Sequence, residues 1–205
     1  MDMTLFPTKG NLIFAKNALK LSKQGYDLLD KKRNILIREM MMLIDRAQDI
    51  QAKINSAYTE AYTALQNANI SQGITRIMEI ADCIDIDDSL DIKYRSVMGV
   101  EIPEVNNIKS DKQVIYDLLN TGDQLDIAFI KFNLVKELTI ELAAVENSVY
   151  RLANNIKKTQ KRANSLKNIN IPKYEEIVTV ITNFLEENER EEFTRLKVIK
   201  RQNEK

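Results

Sequence analysis

The sequence contains no histidine and no tryptophan, one cysteine, three prolines and five glycines in 205 residues. Each scarcity closes a class of function. Without histidine there is no Ser-His-Asp or Cys-His catalysis, no imidazole metal site, and the commonest general base is missing. A single Cys83 cannot form an intramolecular disulfide, and with no signal-peptide pattern it suits a reducing, cytoplasmic setting. The glycines, at 10, 25, 73, 99 and 122, are isolated, so neither a Walker-type phosphate loop nor a dinucleotide fingerprint can be drawn. Asp85, Asp87, Asp88 and Asp91 lack the glycine and closing glutamate of a calcium loop. No apolar run is long enough to cross a bilayer, so direct membrane insertion is not expected. No cofactor and no metal site are expected, and the chain does not read as an enzyme.

Few breakers leave long helices. Leu12, Ala15, Leu19, Ser22, Tyr26, Leu29, Arg33, Leu36, Met40, Leu43, Ala47, Ile50, Ile54, Ala57, Ala61, Ala64 and Ala68 alternate in steps of three and four, and only Ser22 and Arg33 are not apolar. A mean spacing of 3.5 residues keeps one stripe of a helix on one partner, as in a left-handed coiled coil. At ~1.5 Å per residue this seam would run roughly 85 Å. Lys131, Val135, Leu138, Leu142, Val145, Val149, Leu152, Ile156, Thr159, Ala163 and Leu166 repeat the alternation, and after Pro172 it resumes at Tyr174, Ile177, Ile181 and Phe184. Two seams in one chain predict an intramolecular antiparallel hairpin. Setting Ala68 opposite Lys131 brings Pro172 beside Gly25 and Tyr26, where a kink or brief break at Asn170-Ile171-Pro172 would find room. Arg33 on the seam is read as a snorkelling or register-fixing residue.

The middle of the chain reads differently. Cys83 to Pro103 alternates with period two and is rich in β-branched residues, predicting two short strands. Asp87-Asp88-Ser89 or Arg95-Ser96 would supply the turn, and Pro103 would end the second strand. A short helix from about Lys112 to Asn120 would follow. The expected fold is therefore mainly α: a long antiparallel two-helix coiled coil with a small middle region holding a short β-hairpin and a short helix. Its parts are an N-terminal helix over 8–71, a middle region over 72–123 with the hairpin at about 84–102, and a C-terminal helix over 124–200 kinked near Pro172.

Formal charge is zero but segregated. Residues 1–38 carry eight basic against three acidic residues, whereas 80–127 carry eleven acidic against four basic. One end of a rod would be positive and the other negative. Basic helices can bind nucleic acid, but with no tryptophan and no interleaving of aromatic and basic residues a protein-docking face is the better reading, and no nucleic-acid partner is expected.

The two ends carry a resemblance. Phe6-Pro7-Thr8-Lys9, Leu12, Lys16, Leu19-Lys20, Gly25-Tyr26-Asp27-Leu28-Leu29, Lys31-Lys32-Arg33 and Leu36-Ile37-Arg38-Glu39 resemble the amino-terminal signature of the D subunits of V-type and A-type ATPases/ATP synthases. Lys161-Arg162-Ala163-Asn164-Ser165-Leu166, Ile171-Pro172, Glu175-Glu176-Ile177 and the run from Leu185 to Lys197 resemble the second block of that family. Ala15 and Asp30 depart from the commoner larger apolar and basic residues. The resemblance implies a central rotor shaft that couples ATP synthesis or hydrolysis to proton or sodium transport without performing chemistry itself. It implies a cytoplasmic location, peripheral to the membrane. The implied partners are the catalytic A and regulatory B subunits of the ring, the F subunit, and the socket subunit (C/d) that leads to the membrane rotor. Lys9, Lys16, Arg195 and Lys197 are then expected to meet acidic loops of the ring. Ile84, Ile86, Ile92, Tyr94, Val100 and Ile102 would be contacts of the lower stalk. A charged exterior is expected to keep such a shaft from adhering. The competing reading is a free-standing cytosolic coiled-coil adaptor or nucleic-acid-associated rod, which would not copurify with ATPase subunits.

Overall fold

The computed structural model of the chain describes residues 6–84, 90–105 and 121–204. Its elements in order are α1 (Lys9–Gln72), α2 (Ile74–Asp82), β1 (Ile92–Val97), β2 (Val100–Val105), α3 (Asp123–Ser165), a π-turn (Leu166–Asn170) and α4 (Ile171–Asn203). Long N- and C-terminal helices packed together, with a small hairpin and a short helix between them, match the expected class. The expected helix near 112–120, the Asp87-Asp88-Ser89 turn and Ile86 lie outside the described residues.

Local chemistry sets the helix ends. Thr8 caps α1: its Oγ1 accepts from the Asn11 amide at 3.2 Å and its carbonyl from the Leu12 amide at 3.0 Å. Gly73 separates α1 from α2 at φ +87°, a conformation that side chains with a Cβ resist. The helix that follows, α2, was missed in the sequence; the signal was Gly73 followed by the apolar set Ile74, Ile77, Met78 and Ile80.

Residues fall into two compact units, Leu36–Asn155 and Met1–Ile35 with Ile156–Lys205. In the first, α1 and α3 run antiparallel. Ile50, Ile54 and Val145 form one buried cluster, Ala57, Ala61 and Val135 a second, and Ala68, Ile77 and Leu125 a third. Four alanines at seam positions admit bulkier neighbours: Tyr62 stacks on Tyr58 at 5.9 Å and meets Phe132 edge-on at 5.6 Å. Leu36 and Leu152 are fully buried. Ion pairs Arg46–Glu141 and Lys131–Glu60 flank the seam.

In the second unit Ala15, Ile177 and Ile181 are the buried core, with Leu12, Tyr174, Val178 and Leu185 against them. Leu185 takes the place expected of Phe184, which is 45% exposed. Arg33 ion-pairs with Asp30 at 2.6 Å and donates to Gln160 Oε1 at 2.9 Å, so the charge on the seam is held by the facing helix. Lys23–Glu175 adds an ion pair at 2.7 Å.

The antiparallel register lies within a heptad of the expected one: Ile54 and Val145, expected to face each other, share a buried cluster, whereas elsewhere partners are offset by several residues. Ala68 clusters with Leu125, and Lys131 pairs with Glu60. Gly25 faces Leu166, and the Lys167 ammonium lies 5.8 Å from the Tyr26 ring, so the π-turn and not Pro172 stands beside Gly25 and Tyr26. A periodicity of 3.5 fixes which face is buried; it leaves sliding by a heptad undetermined until side-chain volumes and ion pairs select one setting. No break occurs at Pro172. The chain is helical from Asp123 through Asn203, and the proline is accommodated just after the π-turn.

Candidate interaction surfaces

The hairpin belongs to the unit Leu36–Asn155. β1 and β2 pair antiparallel from Ile92↔Val105 to Val97↔Val100. The turn is Met98-Gly99, both at positive φ (+50° and +78°), as a tight two-residue hairpin turn requires. Arg95-Ser96 is therefore inside β1. Gly99, the lone glycine of the segment, was the signal. Pro103 lies inside β2 opposite Tyr94 instead of ending it. Its carbonyl accepts from Ser148 Oγ at 3.3 Å, so this residue's polar groups point away from β1 and its missing N–H costs the ladder nothing.

Side chains of the long helices clamp the hairpin. The Arg151 guanidinium lies 5.4 Å from the Tyr94 ring centroid and donates to the Glu101 carbonyl at 3.3 Å. Arg95 pairs with Glu39 at 2.7 Å and with Glu104 at 3.6 Å. The groove between β2 and the helices, lined by Arg46, Arg95, Glu104, Glu141 and Ser148 among others, therefore holds arginines that already have acidic partners.

This packing divides the residues expected to meet lower-stalk partners. Val100 and Ile102 are only 3% and 2% exposed, so they serve the hairpin's own attachment. Ile84, Ile92 and Tyr94 are exposed, as are Leu90 and Met98, which the sequence reading did not select. Beside Gly73, Ile70, Ile74 and Met78 present further apolar surface, while Ile77 of α2 turns inward.

In the other unit, Lys9 pairs with Glu189 at 3.2 Å and Arg195 with Glu191 at 3.4 Å, both still largely exposed. Lys16 and Lys197 are exposed. The structure thus brings Lys9 to the acidic run of α4. From Glu186 to the end of α4 every described residue is exposed, Phe193, Leu196, Val198 and Ile199 included. On α1, Phe14, Leu21, Leu28 and Ile35 recur at seven-residue spacing and are all exposed. Constant spacing of seven places them on one line down the helix, away from the buried seam. Sequence reading missed this second line because the first seam absorbed the heptad signal. The exterior is therefore not merely charged.

Charge also divides by unit. Residues 1–35 with 156–205 carry 19 basic and 11 acidic residues, a net of +8; residues 36–155 carry 11 basic and 19 acidic, a net of −8. Among the described residues no group of three or more His, Cys, Asp or Glu could hold a metal ion, and no helix is long and apolar enough to cross a membrane.

Comparison with known proteins gives these surfaces their setting. The profile of the ATP synthase D-subunit family matches residues 11–201. The V-type ATP synthase D subunit of Thermotoga neapolitana is 43% identical over 198 residues, covering 97% of this chain and 98% of the relative. The A-type ATP synthase D subunit of Pyrococcus abyssi is 36% identical over 199 residues (95% and 92% covered), and that of Methanobrevibacter smithii 37% over 198 residues (95% and 85%). The chain therefore belongs to the D-subunit family of V/A-type ATP synthases, the non-catalytic central-stalk components of rotary ATPases that link ATP synthesis to ion transport.

Proposed function

We propose that the positively charged unit is the part of this stalk protein enclosed by the ring of catalytic A and regulatory B subunits, and that the hairpin and α2 face the F subunit and the socket subunit (C/d). The observation that carries the reading is the C-terminal segment of α4. A helical segment of this length exposed on every side, with Phe193, Leu196, Val198 and Ile199 in water, has no packing partner among the described residues of its own unit. Isolated helices are marginal in water, and apolar surface of this kind marks a contact. The line Phe14–Leu21–Leu28–Ile35 supports the same assignment on α1. One apolar residue per heptad, separated by polar ones, makes a contact weak enough to break and reform as the stalk turns.

Lys9, Lys16, Arg195 and Lys197 then face acidic loops of the ring. With the unit at +8, this attraction steers docking and weakens as salt screens it. The stalk protein contributes no reacting group. Its two helices differ in sequence around their circumference, so each catalytic site meets a different surface, and nucleotide affinity follows the stalk's orientation through differential contact. At the other unit, Ile84, Ile92, Tyr94, Ile74 and Met78 offer apolar contacts within an acidic setting.

The test is to neutralise Lys9, Lys16, Arg195 and Lys197 together, and separately to delete the hairpin, then measure ring binding and ATPase rate. The neutralised protein should dock more weakly at low salt, with the difference shrinking at high salt. The hairpin deletion should leave ring docking intact and alter activity or lower-stalk assembly. Loss of ring binding on hairpin deletion, with the helices still folded by circular dichroism, reverses the assignment.

A further inference from the structure

Arg33 is a cation at a seam position, and with its side chain only 24% exposed it is held between the helices and not turned out to water. A charge so placed needs acceptors around it. Two come from its own helix: Asp30 pairs with it at 2.6 Å, and Asn34 Oδ1 accepts from its Nε and Nη2 at 3.4 and 3.2 Å. The Asn34 amide in turn donates to Asp30 at 3.3 Å. Among the described residues the acceptor from the facing helix is Gln160, whose Oε1 receives a hydrogen bond from Arg33 Nη1 at 2.9 Å. Its Nε2 donates to Asn164 Oδ1 at 3.0 Å, which fixes the amide with its oxygen toward Arg33.

We propose that the Arg33–Gln160 contact, oriented by Asn164, is the register lock of this unit: it accepts one alignment of α1 against α3 and rejects those a heptad away. Asp30 and Asn34 sit on α1 and travel with Arg33, so they neutralise the charge without reporting alignment. Gln160 does report it. The residues seven before and seven after Gln160 are Ala153 and Lys167. Sliding one way leaves Arg33 opposite a methyl group, with a donor unsatisfied in the seam. Sliding the other way sets an ammonium against the guanidinium and takes Lys167 from the Tyr26 ring, which it covers at 5.8 Å. Apolar seam residues discriminate poorly between such alignments, because a leucine or alanine finds another apolar residue one heptad on. A polar layer at a seam position lowers stability while selecting a single register. The lock is a property of the free chain and stands apart from which subunits surround the stalk.

The experiment uses the full chain with Cys83→Ser and Lys23→Cys, since Lys23 meets Glu175 at 2.7 Å in the native alignment. Glu175→Cys is added to report that alignment, and Asn168→Cys or Thr182→Cys to report a slide of one heptad in either direction. A short bismaleimide crosslinks each pair, in this parent and in Arg33→Leu with Gln160→Leu. With the polar layer gone, the two slid pairs should crosslink about tenfold more than in the parent, the factor that ~1.4 kcal/mol of lost discrimination corresponds to. Gln160→Glu keeps an acceptor toward Arg33 and should crosslink as the parent does. Slid pairs that stay at the parent's level in the double variant, with circular dichroism showing it helical, overturn the proposal, as does an equal rise in Gln160→Glu. Should the double variant not fold, Gln160→Ala removes the facing acceptor alone and is read by the same criterion. A failure of the ring-docking test leaves this result untouched.

Discussion

Truncating Leu152 and Leu21 separately distinguishes the buried seam from the exposed line. Leu152 is fully buried and Leu21 is 70% exposed. Leu→Ala in a packed interior costs about 2–5 kcal/mol, of which part is the cavity left behind. A seam between two helices has solvent near both flanks and can collapse partway, so Leu152→Ala should sit at about 2–3 kcal/mol. For a chain of this length ~1 kcal/mol moves the midpoint by about 2–4 °C, which gives a drop of roughly 4–12 °C. Leu21→Ala removes surface that already faces water in the free protein and should change stability by no more than about 0.5 kcal/mol. Thermal and urea unfolding followed by circular dichroism measure both. In the assembled complex the order should change: Leu21→Ala, combined with Leu28→Ala, should weaken docking although the free protein is unaffected. Equal destabilisation of the free protein by Leu21→Ala and Leu152→Ala would refute the division into buried seam and exposed line.

Three further outcomes are expected. Both polar atoms of the Gln72 side-chain amide are buried without a hydrogen-bond partner among the described residues, so Gln72→Met should raise stability by about 1 kcal/mol, and a lower urea midpoint would contradict this. Met98 holds φ +50° in the hairpin turn, so Met98→Asn should stabilise the hairpin, and slower proteolytic cleavage between β1 and β2 is the readout. Arg151→Ala removes the Tyr94 contact and the bond to the Glu101 carbonyl and should make the same cleavage faster; an unchanged rate would mean the clamp contributes nothing.

The seam, its antiparallel use and the rarity of catalytic residue types were legible in the sequence, because burial along a helix repeats at a fixed interval and composition needs no geometry. Gly99 and Gly73 were equally legible, though only Gly99's place in a turn explains why β1 starts at Ile92 and not near Ile84. The sequence also determined that Pro172 disturbs the helix and that charge divides along the chain. Tertiary structure decided what depends on a partner. It set the register, within a heptad of the expected one but offset by several residues over part of the seam, because a heptad pattern fixes the buried face and not the offset, which the fit of particular side chains, such as Lys131 with Glu60, selects. It turned Val100 and Ile102 inward and left Ile92 and Tyr94 out, since alternation along a strand defines two faces without saying which one is covered. It placed a π-turn over Leu166–Asn170, just ahead of Pro172, where the sequence suggested a kink or brief break.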